Sequence, residues 1–342
     1  MTRTRVLQSL GLLAVGLALL ALVLRQVGTD AVVAELRGAD ITLLTWAALV
    51  FFTQFFTMGL RWWVAMRMLG HSTRLIPIFR ANSGSNFINF FAPGHFGEPV
   101  MSWWLARSKE APGVEAFTIL VGCKVVATIL SFAVLLACLP FLAAGSDSPW
   151  LLQVGATAGA IILATVVTFA VLLRPAIATW GAGVAERLIA GTLGRLRPDA
   201  GQRAGSAVAG LILRVRDTLA LFASRPAAML ATAGISAVKI GFQIGFVVLL
   251  YAAFDQRLTV AGSTFLVTVD VLQNILSIWI PANMGVQEAV LTAAAAGGLS
   301  IDPAVAASAT IAHKLILIAH VALGGLAFVL LGLVDRRGAP NR

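Results

Sequence analysis

Two apolar stretches of this chain, residues 75–105 and 258–299, are each interrupted in the middle by proline, glycine and asparagine. The interruptions read FAPGHFGE (91–98) and IPANMGVQE (280–288). Proline removes a backbone donor and glycine disfavours helix, so neither stretch reads as one continuous helix. Within a bilayer, backbone freed in this way survives only against protein or around a wet cavity. The pattern therefore predicts, for each stretch, two half-helices meeting at a re-entrant turn. Six uninterrupted apolar runs surround them, at 6–24, 41–60, 114–142, 150–173, 227–253 and 303–334. Each approaches or exceeds the roughly 20 residues that span a hydrocarbon core. Charged residues make up 12% of the 342, against about 25% in soluble domains. The expected fold class is an all-α polytopic membrane protein, with about six transmembrane helices plus two broken re-entrant helical hairpins.

Charge placement gives this scheme a direction. The net charge is +10, and the basic residues cluster between apolar runs rather than forming a stripe for nucleic acid. Arg3 and Arg5 place the N-terminus in the cytoplasm. A mixed loop at 25–40 falls outside, and Arg61, Arg67 and Arg74 fall inside. Arg107 and Lys109 return inside if 75–105 is a hairpin. The linker at 174–225, with eight arginines, is inside; Asp255 and Asp302 are outside; Arg336, Arg337 and Arg342 are inside again. Both termini are thus expected in the cytoplasm of a cell-membrane protein. Trp62–Trp63 and Trp103–Trp104 then fall on one face, as an interfacial belt requires. Eight full spans is the alternative for the broken segments, and a cleaved signal peptide is the alternative for the first run. Cys123 and Cys138 share one apolar run and suggest neither a disulfide framework nor a thiolate metal site.

The ionisable residues inside apolar surroundings recur. Glu98 follows Arg80 by 18 residues (98 − 80), and Glu288 follows Asp270 by 18 (288 − 270). Lys124 and Lys314 each follow by a further 26 (124 − 98 and 314 − 288), for a constant offset of 190 (314 − 124). Each half reads span, broken hairpin, span, and the hairpins enter from opposite sides. This is the pattern of an inverted repeat, which builds a site near the bilayer midplane. Pro93 and Pro281 are not equivalent at this offset, and Arg80 maps onto an acidic residue. The whole of 1–342 is read as a single integral membrane domain. It holds a first repeat at about 41–142, a cytoplasmic amphipathic linker at about 174–225 and a second repeat at about 227–334.

The residues expected to bind or translocate a substrate are Arg80, Asn89, His95, Glu98, Lys124, Asp270, Asn283, Glu288 and Lys314. A charge at the bilayer centre costs about 2.5–3.5 kcal/mol on insertion scales, so each must face protein or water. Every one has a structural alternative. Glu98 and Glu288 stand where they can cap their own helices. Lys124 and Lys314 can serve as internal ion-pair partners. Arg80 can snorkel to the interface. The asparagines can satisfy freed backbone. His313 and His320, seven residues apart, read as packing rather than as metal ligands, and Lys239 has no assigned role. In the linker, apolar faces such as Val208, Leu211, Ile212, Val215, Leu219 and Phe222 oppose arginines. That reads either as interfacial helices on anionic lipid or as packing against the bundle base.

NFFAPGHFGE (89–98) with Lys124, and PANMGVQE (281–288) with Lys314, resemble the flippase-like integral membrane family. That family includes the membrane portion of lysylphosphatidylglycerol synthases and a hopanoid-biosynthesis-associated subgroup. The resemblance covers nearly the whole chain. The family pattern has a more basic first break and an arginine where Lys124 stands. The bifunctional synthases add a large soluble aminoacyl-transfer domain, so the resemblance implies the translocation half.

The expected function is therefore a transporter, not an enzyme, moving a polar-headed and phosphate-bearing membrane lipid, with no cofactor, no metal and no nucleic-acid partner. The alternatives are an intramembrane lipid-modifying enzyme, using Glu98 or Glu288 with a histidine, and a scaffold recruiting a synthase through the 174–225 linker.

Overall fold

The structure is a computed structural model that describes residues 17–91, 96–143, 148–193, 198–277 and 279–337. Its elements are helices: α1 (Leu17–Val27), α2 (Thr29–Gly38), α3 (Ile41–Met68), α4 (Leu75–Phe91), α5 (Gly97–Arg107), α6 (Gly113–Ala143), α7 (Pro149–Leu173), α8 (Pro175–Leu193), α9 (Pro198–Ala223), α10 (Pro226–Ala252), α11 (Val260–Leu276), α12 (Val286–Leu299) and α13 (Pro303–Arg337). A 3-10 turn, Pro281–Asn283, lies between α11 and α12. Five of these, α3, α6, α7, α10 and α13, are long and apolar enough to cross a membrane, and the bent pair α1–α2 makes up to six. The chain is a multi-pass membrane protein.

Local chemistry sets the boundaries. Asp40 caps α3, its carboxylate accepting from the N–H of Thr42 at 2.7 Å and of Leu43 at 3.2 Å. Gly70, at φ 99°, lets the chain leave α3, with His71 N–H donating back to the Met66 carbonyl at 3.0 Å. Thr259 caps α11, and Asp302 accepts from Ala304 N–H at the start of α13. Proline opens α7, α8, α9, α10 and α13, where its missing donor costs nothing.

Three sequence expectations need correction. Residues 25–40, expected as an outside loop, hold the end of α1 and all of α2. Gly28, at φ 95°, permits an 85° bend after α1, and Val32 is buried while Ser308 of α13 donates to its carbonyl at 3.2 Å. The span expected at 41–60 continues to Met68, so Arg61 is a helix residue, 4% exposed, and not part of a loop. Trp62, expected at the interface, is fully buried. The first run, 6–24, is described only from residue 17.

Helix neighbours correspond between the halves. α3 packs on α10; α4 packs on α13 as α11 packs on α6; α5 packs on α6 as α12 packs on α13. With no hydrophobic drive between helices in lipid, close approach rests on small residues. Phe328 of α13 sits over Gly84 of α4, and Phe87 of α4 sits over Gly325 of α13. A Cβ on either glycine would meet the facing ring at 2.9–3.0 Å. α8 and α9 pack on each other, and α9 also packs on α6, where Phe222 is 1% exposed. The bundle-base reading of the linker thus holds for the end of α9, while Trp180 and Leu188 on α8 stay exposed.

The core is divided. One apolar cluster takes Ala47 and Phe51 of α3, Phe132 and Leu135 of α6, and Phe246 and Leu250 of α10. The other takes Trp62 and Met66 of α3, Ile119 and Leu120 of α6, and Phe222 of α9. Between them, the same helices carry Gln54, Arg61, Lys124, Ser131, Ser236 and Lys239. The bundle has a polar midsection between two apolar layers.

Candidate functional site

Both broken segments bury a carboxylate beside a lysine of a neighbouring helix, the first at Lys124 of this midsection and the second at Lys314 of α13. The first break falls between α4 and α5. Glu98 stands in the first turn of α5, whose own N-cap residue, Phe96, offers no side-chain cap, and it is 5% exposed. Asn89, in the last turn of α4, holds it from both sides of the break. The Asn89 amide donates to Glu98 Oε1 at 3.0 Å, and its carbonyl oxygen accepts from Gly97 N–H at 2.6 Å. α5 lies so close to α4 that a Cβ at Gly97 would stand 2.2 Å from the Ser85 carbonyl oxygen. Only glycine fits there. Lys124 of α6 completes the group through an ion pair with Glu98 Oε1.

The second break has the same parts and more of them. Glu288, 3% exposed, sits in the first turn of α12 and accepts from Gly285 N–H at 2.7 Å. Lys314 of α13 lies 3.5 Å from Glu288 Oε1 and donates to the Ala282 carbonyl at 2.8 Å. One lysine thus neutralises a buried carboxylate and satisfies backbone freed by the break. Ala282, Asn283 and Gly285 all have positive φ, at 56°, 49° and 78°. Side chains hold that strained turn. Asn283 donates to Asn274 and accepts from Ser277 Oγ at 2.9 Å. Asp270 of α11 accepts from Gln273 at 3.1 Å and from Gln287 at 2.9 Å, tying α11 to α12. Beside Asp270 and His313 lies a cavity of about 30 Å³, room for a water or two.

The expected site residues therefore fall into two groups. Asn89, Glu98 and Lys124 meet at the first break, and Asp270, Asn283, Glu288 and Lys314 gather at the second. Arg80 stands apart, nine residues before Asn89 and so about 13 Å along α4. Its guanidinium lies 4.9 Å from the ring centres of both Trp104 and Phe328 and donates to the Phe328 carbonyl at 3.2 Å. This contact fixes α4 to α13, and Arg80 does not share the Glu98 group. His95 lies outside the described residues. His313 and His320 pack edge-on against Phe51, at 5.6 and 5.2 Å, which matches the packing reading.

Two interior cations were misplaced or left open by sequence. Arg61 appeared to end a span, and only the continuation of helical spacing through Trp62 and Met66 to a glycine at Gly70 signals otherwise. Lys239 sits in mid-span on α10, within electrostatic range of Arg61, Lys124 and Asp270.

An apolar groove of about 680 Å³ runs between α4, α5 and α13, flanked by Phe87, Ile88, Val100, Met101 and Leu326. Ser85, which touches Gly97 at the first break, also lines it. A lipid-facing groove thus adjoins the polar group.

No curated protein and no solved structure matches the chain at a significant level. A family model, lysylphosphatidylglycerol synthase TM region, matches residues 9–325 and so takes in both breaks and every candidate residue. The chain belongs to the family of lysylphosphatidylglycerol synthase transmembrane regions.

Proposed function

We propose that the protein moves a polar-headed, phosphate-bearing lipid across the cell membrane. The observation that carries this reading is the pairing of a buried carboxylate with a lysine at each of two helix breaks, Glu98 with Lys124 and Glu288 with Lys314. Paired charges and open backbone in apolar surroundings form a path for a head group, and the adjoining groove suits an acyl chain. Membership of a membrane family named for a lipid synthase supports a lipid-related role. The match is to a transmembrane region, which favours translocation over catalysis. On this reading the halves form an inverted repeat, with α4–α5 entering from the cytoplasm and α11–α12 from outside. Both termini are cytoplasmic, and the arginines of α8 and α9 rest on anionic lipid.

The test is head-group movement in proteoliposomes, read as dithionite quenching of fluorescent lipids. Wild-type protein should expose inner-leaflet lipid faster than protein-free vesicles, and Glu98→Gln should slow it at least tenfold. Rates equal to protein-free vesicles for anionic, aminoacylated and isoprenoid lipids alike would overturn the reading.

A further inference from the structure

Several buried donors of the polar midsection have no acceptor among the described residues. Arg61 of α3 is 4% exposed, and its only hydrogen bond among the described residues is from Nη1 to Ser236 Oγ of α10, at 3.3 Å. Its guanidinium also lies 5.9 Å from the Trp62 ring centre. The Arg61 Nε–H has no acceptor among the described residues. Seven residues earlier, on the same face of α3, Gln54 Nε2 is likewise buried with no acceptor, and so is the Trp62 indole N–H. Lys239, one turn from Ser236 on α10, has neither a hydrogen bond nor an ion pair among the described residues. Lys124 of α6 lies within electrostatic range of Lys239.

The neighbouring carboxylates are already engaged. Glu98 is held by Lys124 and Asn89, and Asp270 by Gln273 and Gln287. A buried guanidinium without a counter-charge is costly, and in a membrane interior it marks a functional position. Neither cation has a charged counterpart. At the repeat offset, Arg61 corresponds to Tyr251 and Lys239 to Leu49, neither of them charged. The repeat architecture therefore does not require these two cations.

The missing component is an anion with several acceptor oxygens. A phosphate group supplies these, and the planar guanidinium fork is suited to it. Access is through Lys124, whose side chain is 38% exposed, while Arg61 is 4% exposed. We infer that Arg61, Lys124 and Lys239 form a binding site for a phosphate group, carried by a lipid whose head group is anionic overall. The inference rests on the lipid-transport reading and adds the place and sign of the substrate's charge. An ammonium-bearing head group would meet repulsion from Arg61 and Lys239, which have no ion pair among the described residues, so the site selects against it.

The test is equilibrium binding by the full-length protein in maltoside micelles, using radiolabelled phosphatidic acid, diacylglycerol with the same tails, and inorganic phosphate. Wild type should retain phosphatidic acid at least tenfold over diacylglycerol. Lys239→Gln should remove most of that preference, and Lys239→Arg should keep it. Arg61→Gln should act like Lys239→Gln if it folds, and Arg61→Lys should retain a part. Competition by millimolar inorganic phosphate would show that the phosphate alone is recognised; its failure would show that the tails are also needed. Both outcomes support the site. Equal retention of diacylglycerol and phosphatidic acid by wild type, or an unchanged preference in Lys239→Gln of wild-type melting temperature, overturns it. Should Lys239→Gln bind and transport like wild type, the phosphate site fails while the transport reading stands.

Discussion

The two helix breaks use the same residue types to different degrees of closure. At the first, one asparagine bridges the gap, and Lys124 keeps 38% of its side chain exposed. At the second, side chains from α11, the 3-10 turn, α12 and α13 interlock, and Lys314 and Glu288 are 7% and 3% exposed. A buried ion pair is worth little net, but removing one partner is costly because the other charge is stranded. The second break is thus a closed structure held by mutual dependence. The first is a looser one, beside an apolar groove. The two pairs thus differ in access, Lys314 being enclosed and Lys124 partly exposed.

The comparison yields graded predictions for stability, all read as melting temperature in detergent. Lys314→Met strands Glu288 and frees the Ala282 carbonyl, and should show the largest loss, about 3–5 kcal/mol. Lys124→Met should cost less, about 1–3 kcal/mol, because Lys124 is 38% exposed and the buried Glu98 keeps its hydrogen bond from Asn89. A Lys124→Met loss as large as that of Lys314→Met would mean that the breaks are equally closed. Gly285→Ala forces a side chain to φ 78° and should cost about 1–2 kcal/mol. His320→Leu, six residues beyond Lys314 on the same helix, should be close to neutral, within about 1 kcal/mol. The imidazole packs on Phe51 and Phe52, and its Nδ1 has no partner among the described residues. A large loss there would shift importance from the polar pairs to general packing on α13.

Much of this was legible in sequence because membranes permit so few solutions. Apolar length located the five long helices, and Pro–Gly punctuation located both breaks. The fixed offset matched each glutamate to its lysine. The misses share a cause, which is that hydropathy does not report what a helix faces. Arg61 looked like the end of a span because arginine is costly in lipid, yet α3 turns it toward α10 and Ser236. Arg80 looked like a site residue from its offset, yet its rotation on α4 places it on Trp104 and Phe328. Residues 25–40 looked like a loop because they are polar, yet Gly28 lets a short helix fold back against α13. The Asn274–Asn283–Ser277 lock depends on two residues with positive φ, which no periodicity reports.

The central claim is that the two broken segments enter the membrane from opposite faces. Single cysteines at Ser72 and Lys109 flank the first, and at Gln256 and Ser300 the second, in a Cys123→Ala, Cys138→Ala background. Labelling with an impermeant maleimide in right-side-out and inverted vesicles tests the claim most directly. The account predicts that positions 72 and 109 react only in inverted vesicles, and positions 256 and 300 only in right-side-out ones. Reaction of all four from one face would contradict it.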